Sequence, residues 1–139
     1  KDTVYNEVFL DKQNLERMFD CQITGMAYPY GTYNDEVVQI LKKCKIQYAR
    51  SVVFSGAFKL QKNLLIFKPT CHHADENIWE LLEKFLKEKS EEKQLFYIWG
   101  HSYEFDVNNN WKRMEEILDR LIGHNNIFYG TNREVLLPC

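Results

Sequence analysis

The sequence has no apolar run long enough to span a bilayer, so no membrane partner is expected. It has no excess of charge of either sign. Its 18 Lys and Arg stand against 20 Asp and Glu, and the net charge of -2 excludes the basic footprint of a nucleic-acid binder. It has no C-x-x-C pair. Its four cysteines, Cys21, Cys44, Cys71 and Cys139, are too scattered for a zinc knuckle and too sparse for a disulfide scaffold. They are expected as free, mostly buried thiols, which favours a reducing compartment such as the cytoplasm. The opening Lys1-Asp2-Thr3 carries neither Met nor an apolar segment. No signal peptide is expected from it; a processed or cut chain is. No repeat, low-complexity stretch or linker interrupts the sequence.

What is there suffices for a single domain over residues 1–139 with a real core: 45% of residues are hydrophobic. Aromatics, at 14%, suit either a thick core or a surface for stacking sugar or base rings. The stretch around which the chain is organised is Leu95–Asp106. Five large apolar residues, Leu95 to Trp99, run into Gly100 and then His101. Such a run predicts a strand buried on both faces, delivering His101 to the carboxyl edge of a parallel sheet, where α/β folds build their sites. Glu104 and Asp106 follow closely enough to orient the imidazole. The alternative is a satisfied histidine capping a loop.

Before that stretch, residues 6–19 predict an amphipathic helix with Val8, Leu15, Met18 and Phe19 inside. Gln22 to Tyr30 predicts a strand ended by Pro29 and Gly31. Asn34 is placed to cap a helix whose apolar face is Val37, Val38, Ile40, Leu41 and Cys44. Ile46–Val53 and Leu64–Phe67 are further strand candidates. Asp75 opens a helix to about Lys87 with Ile78, Leu81, Leu82 and Phe85 on one face. After Leu95–Trp99 and an Asn108–Asn110 turn come a helix from Trp111 with Met114, Ile117, Leu118 and Leu121 inside, a stop at Gly123, a strand at Ile127–Tyr129 and a short terminal helix or turn. Strands alternating with helices imply an α/β fold with a mostly parallel sheet.

Four segments occur here in the order found in one family: Ala27-Tyr28-Pro29-Tyr30-Gly31, Tyr48-Ala49-Arg50, Pro69-Thr70-Cys71-His72-His73, and Trp99-Gly100-His101-Ser102-Tyr103-Glu104-Phe105. With the closing Phe128–Glu134 they resemble the polysaccharide deacetylase-like proteins, carbohydrate esterase family four with the NodB-homology fold. The resemblance runs from about Asn6 to Glu134. It implies a partial (β/α) barrel with flanking helices, and metal-dependent removal of acetyl groups from sugars or amino sugars. It further implies a divalent metal, usually zinc, which polarises the acetyl carbonyl and its water. By the same resemblance Tyr30, beside Pro29, offers a backbone N–H to the oxyanion, and His101 is the general acid. Trp99 and the aromatic-rich loops are the walls.

The family's Thr-Phe-Asp-Asp and His-x-x-x-His motifs, which hold the base and the metal, are absent. In the family they precede the position of Asn6. The chain therefore resembles the C-terminal portion of the domain, and is expected to be inactive or nearly so alone. It is expected to hold no metal and to self-associate through an exposed sheet edge. The alternative is a non-catalytic carbohydrate-binding or interaction module, with Tyr28, Tyr30, Trp99 and Tyr103 stacking on sugar rings.

Other residues carry two readings each. His72 and His73 suit substrate contact or replacement metal ligation, against one loop hydrogen bond and one solvated ring. Adjacent side chains on an extended chain point apart, which argues against both holding one ion. Cys71 suits a Cys–His nucleophile or, more simply, a small half-buried thiol. Arg50 suits an anionic sugar or an ion pair with Glu104. His124 is expected in solvent, and Lys84–Lys93 as an exposed helix end.

Overall fold

The computed structural model describes residues 2–137. Its elements are α1 (Asp2–Phe19), β1 (Gly25–Ala27), α2 (Asp35–Lys43), β2 (Tyr48–Arg50), β3 (Cys71–His72), α3 (Ile78–Lys87), β4 (Ile98–Trp99), α4 (Tyr103–Val107), α5 (Trp111–Leu121) and α6 (Asn132–Leu136). They fall into two compact units. One comprises Lys1–Val53, Gln61–Lys68 and Tyr129–Cys139; the other comprises Phe54–Leu60 and Pro69–Phe128.

In the first unit β1 and β2 pair in parallel, Met26 opposite Ala49. Phe67 adds one parallel bridge to Arg50. The helix α2 starts where Asn34 accepts the Val37 N–H on its side chain, with Asp35 and Glu36 in the first turn. It buries Val38, Ile40 and Leu41 in a cluster with Tyr28, Cys44, Ile46, Ala49 and Leu65. Val4, Tyr5, Val8 and Phe9 of α1 pack against that cluster. Met18 and Phe19, expected inside, are exposed, while Val8 and Leu15 are half-buried. Leu64–Ile66 forms a 3-10 turn rather than a strand, because Asn63 caps it with a side-chain bond from the Leu65 N–H. At the amino end of β1, a Cβ on Gly25 would lie 1.9 Å from the Tyr48 ring, so only glycine lets that ring cross the backbone.

In the second unit β3 and β4 pair in parallel, Cys71 opposite Ile98 and His72 opposite Trp99. Cys71, Ile78, Leu82 and Ile117 are fully buried, walled by Trp79, Phe96, Ile98 and Met114. Helices α3 and α5 supply the matching apolar stripes. Phe58, Phe85 and Phe96 meet ring to ring below them.

The α/β expectation holds at its coarse level, with small parallel sheets and interleaved helices; no barrel is shown. The central run departs from expectation. Leu95–Trp99 is half-buried and only Ile98–Trp99 is regular strand. The expected strand at Ile127–Tyr129 is irregular, while α4 was not foreseen.

Candidate functional site

Where β3 and β4 end, the second unit gathers a carboxylate and three imidazoles. The chain turns at once after His72, with the Asp75 N–H bonding the His72 carbonyl. The alternation of an extended chain therefore fails, and the rings of His72 and His73 lie on one side, 4.2 Å apart. This corrects the expectation that adjacent histidines diverge. Beyond β4, Gly100 has φ +155, and a Cβ there would stand 1.9 Å from His73 Cδ2. Glycine thus clears the path of the His73 ring. His101 and Ser102 then lead into α4, whose first turn carries Glu104.

Glu104 is the hub. Its Oε2 lies 2.6 Å from His73 Nε2 and 3.3 Å from His72 Nε2, and accepts the His101 backbone N–H at 3.0 Å. Its Oε1 lies 3.5 Å from His101 Nδ1. These contacts, the His101 N–H first and the His73 ring second, hold the carboxyl down at about 2. Glu104 is therefore an ionised acceptor at neutral pH, and His73 Nε2 at 2.6 Å must be the donor. His72 Nδ1 accepts the Ala74 N–H at 3.1 Å, which leaves its proton on Nε2, also facing Glu104. Burial, with His73 adding to it, lowers the His72 pKa and keeps that ring neutral.

The surroundings fix these groups. His73 is buried, packed on the Phe105 ring at 4.2 Å, and Phe105 leans on Trp111. Arg113 of α5 donates to the carbonyls of His73 and Asp75, at 2.9 and 2.7 Å, and stacks over Trp79. Trp111 Nε1 donates to Asp106, which is thereby drawn away from any role at His101. On the outer side a ladder of rings runs from His72 to Trp99, His101 and Tyr103, at centroid spacings of 4.5, 6.1 and 5.3 Å. Tyr103 is 60% exposed and the His101 side chain 52%.

Of the residues singled out by sequence, His72, His73, Trp99, His101, Tyr103 and Glu104 meet in this one cluster. Tyr28, Pro29, Tyr30 and Arg50 belong to the first unit. Tyr28 is buried there and its hydroxyl donates to the Leu65 carbonyl, so its ring is core and no sugar platform. Tyr30 is almost fully exposed on a turn, with the left-handed φ of 54 that is unusual for a tyrosine. Arg50 Nη1 donates to the Ser51 carbonyl. Cys71 is fully buried, and burial pushes its thiol up to about 12, which removes it as a nucleophile. Cys139 lies outside the described residues. The contributions of Gly100, Ala74 and Arg113 were missed. Gly100, between Trp99 and His101, was the only sequence signal for any of them. No family model, curated protein or solved structure matches the chain.

Proposed function

We propose that the second unit carries the acid–base side of a sugar-deacetylating hydrolase, with His101 as the proton-transferring group. The carrying observation is the pairing of His101 Nδ1 with Glu104 Oε1 at 3.5 Å on a ring half open to solvent. A carboxylate behind one ring nitrogen orients the imidazole. The other nitrogen is then presented to substrate. In hydrolysis of an acetylated amine, water adds to the carbonyl and the C–N bond breaks. The departing nitrogen must take a proton, which His101 Nε2 would deliver, and the proton that the water gives up on addition would restore the ring. The divalent metal that the family resemblance implies would sit on the Thr-Phe-Asp-Asp and His-x-x-x-His motifs, which this sequence lacks.

A second reading has its own support. The Trp99–His101–Tyr103 ladder, with Tyr103 exposed, fits the apolar face of a sugar ring. This is the binding-module reading, without turnover. Titration with N-acetylglucosamine oligomers, followed by tryptophan fluorescence and a sensitive acetate assay without added metal, separates the two, since the hydrolase reading expects only slow release from a chain without the metal and base motifs. Binding with acetate release that is lost in His101→Ala supports the hydrolase. Binding without release supports the module. No binding overturns both.

A further inference from the structure

His72, His73 and Glu104 have the composition of a metal site, and one ligand atom from each lies within 4.8 Å of the others. A divalent cation held there would need a lone pair from each imidazole and one from the carboxylate. The hydrogen bonds oppose this. The Ala74 N–H occupies His72 Nδ1, so the nitrogen facing Glu104 is the protonated one. Releasing Nε2 to a metal would move that proton to Nδ1, directly against the Ala74 donor. His73 Nδ1 is buried without a partner, so ligation through its Nε2 would place an N–H where nothing accepts it. The His73 Nε2 proton instead goes to Glu104 Oε2, which also accepts the His101 N–H, while His72 Nε2 stands 3.3 Å from the same oxygen.

We infer that this cluster takes no divalent metal and that His73 is a positioning residue, a buried strut that fixes Glu104 and through it the backbone and ring of His101. Gly100 is part of the device. The His73 ring reaches Glu104 across the space that a Cβ at Gly100 would fill, 2.7 Å from Nε2. Arg113 anchors the His73 carbonyl from the other side. The strut rests on the reading of His101 as the proton-transferring group, but its geometry is measurable without activity.

The test uses the whole chain with 15N-labelled histidine. Long-range proton–nitrogen correlation spectra should show the Nε2–H tautomer at both His72 and His73. Hydrogen exchange at the His101 amide should quicken about tenfold in His73→Ala and in Gly100→Ala, as expected for losing a hydrogen bond to a charged acceptor. His73→Gln, whose amide N–H reaches towards Glu104, should restore most of the protection. Cobalt(II) titrated into the unaltered chain should produce no stoichiometric tetrahedral spectrum. An Nδ1–H tautomer at either ring, unchanged His101 exchange in a folded His73→Ala, or a cobalt site lost in His72→Ala would overturn the inference. If a variant fails to fold, the tautomer and cobalt measurements on the unaltered chain still decide it. Failure of the hydrolase reading looks different: the tautomers and the His101 tether stay intact while sugar binding and acetate release are absent.

Discussion

Glu104 concentrates the electrostatics of the second unit in one side chain. Its carboxyl lies well below its ordinary 4.5, at about 2, because the folded state supplies the His101 N–H and the His73 ring as donors. A depressed carboxyl contributes stability that is present above pH 4.5 and is lost as pH falls towards 2. Discounted for the quarter of the side chain open to water, the contribution at neutral pH is about 2 kcal/mol. His72 acts earlier. Its pKa lies below the usual 6.5 because burial first, then His73 and His101, oppose its charge more than Glu104 favours it. The unfolded chain therefore binds its proton at higher pH than the folded chain, and stability falls as pH drops through 6.5. Urea unfolding at pH 7, 5.5 and 3 should show both losses, since the first step in pH crosses the His72 range and the second enters the Glu104 window. Glu104→Ala should cost about 2–3 kcal/mol at pH 7, because it strands the buried His73 donor. It should also lose less stability than the unaltered chain between pH 4.5 and 3. An unchanged acid limb in Glu104→Ala would mean that another carboxyl carries the effect.

The elements whose signals are local were the legible ones, and their energetics can be tested on the same terms. Asn34 was readable as a helix cap, and its side chain accepts the Val37 N–H at 2.9 Å. Asn34→Ala should cost about 1 kcal/mol in thermal or denaturant unfolding. Ile117 was readable from the α5 stripe and is fully buried against Cys71, Ile78 and Leu82, so Ile117→Ala should cost about 2–5 kcal/mol. A loss below 1 kcal/mol would mean that the site collapses around the missing methyls. Strands were harder. An apolar run such as Leu95–Trp99 states that residues prefer burial, but not how many neighbours the strand finds; here its regular end pairs with β3, and the Leu95 N–H bonds the Phe58 carbonyl. Leu64–Phe67 looked like a strand for the same reason, and Asn63 turned it into a 3-10 segment. The site was legible as residue types near one sheet edge. The tautomers were not, because they depend on Ala74 and Glu104 contacts that no spacing encodes.

At the scale of the whole chain the balance of charge and exposed apolar surface governs behaviour in solution. The net charge is only -2 and the isoelectric point is near 6.1, so little repulsion separates copies at mildly acidic pH. Met18, Phe19, Val107, Ile122 and Phe128 are each more than 60% exposed, a level at which large apolar side chains favour association. The parallel sheets each have two strands, which leaves backbone edges for pairing. Self-association is the expected outcome, strongest near pH 6.1 where net charge vanishes, and weaker towards pH 8. If apolar surface drives it, added salt should not dissolve the assemblies; if charge pairs drive it, salt should. Size-exclusion chromatography with light scattering, run over a range of concentrations at both pH values, measures this directly. A mass of 16.7 kDa at every concentration near the isoelectric point would show that these side chains and edges are tolerated in a monomer. A mass that rises with concentration, and falls on Ile122→Lys or Phe128→Lys, would place the contact on the second unit.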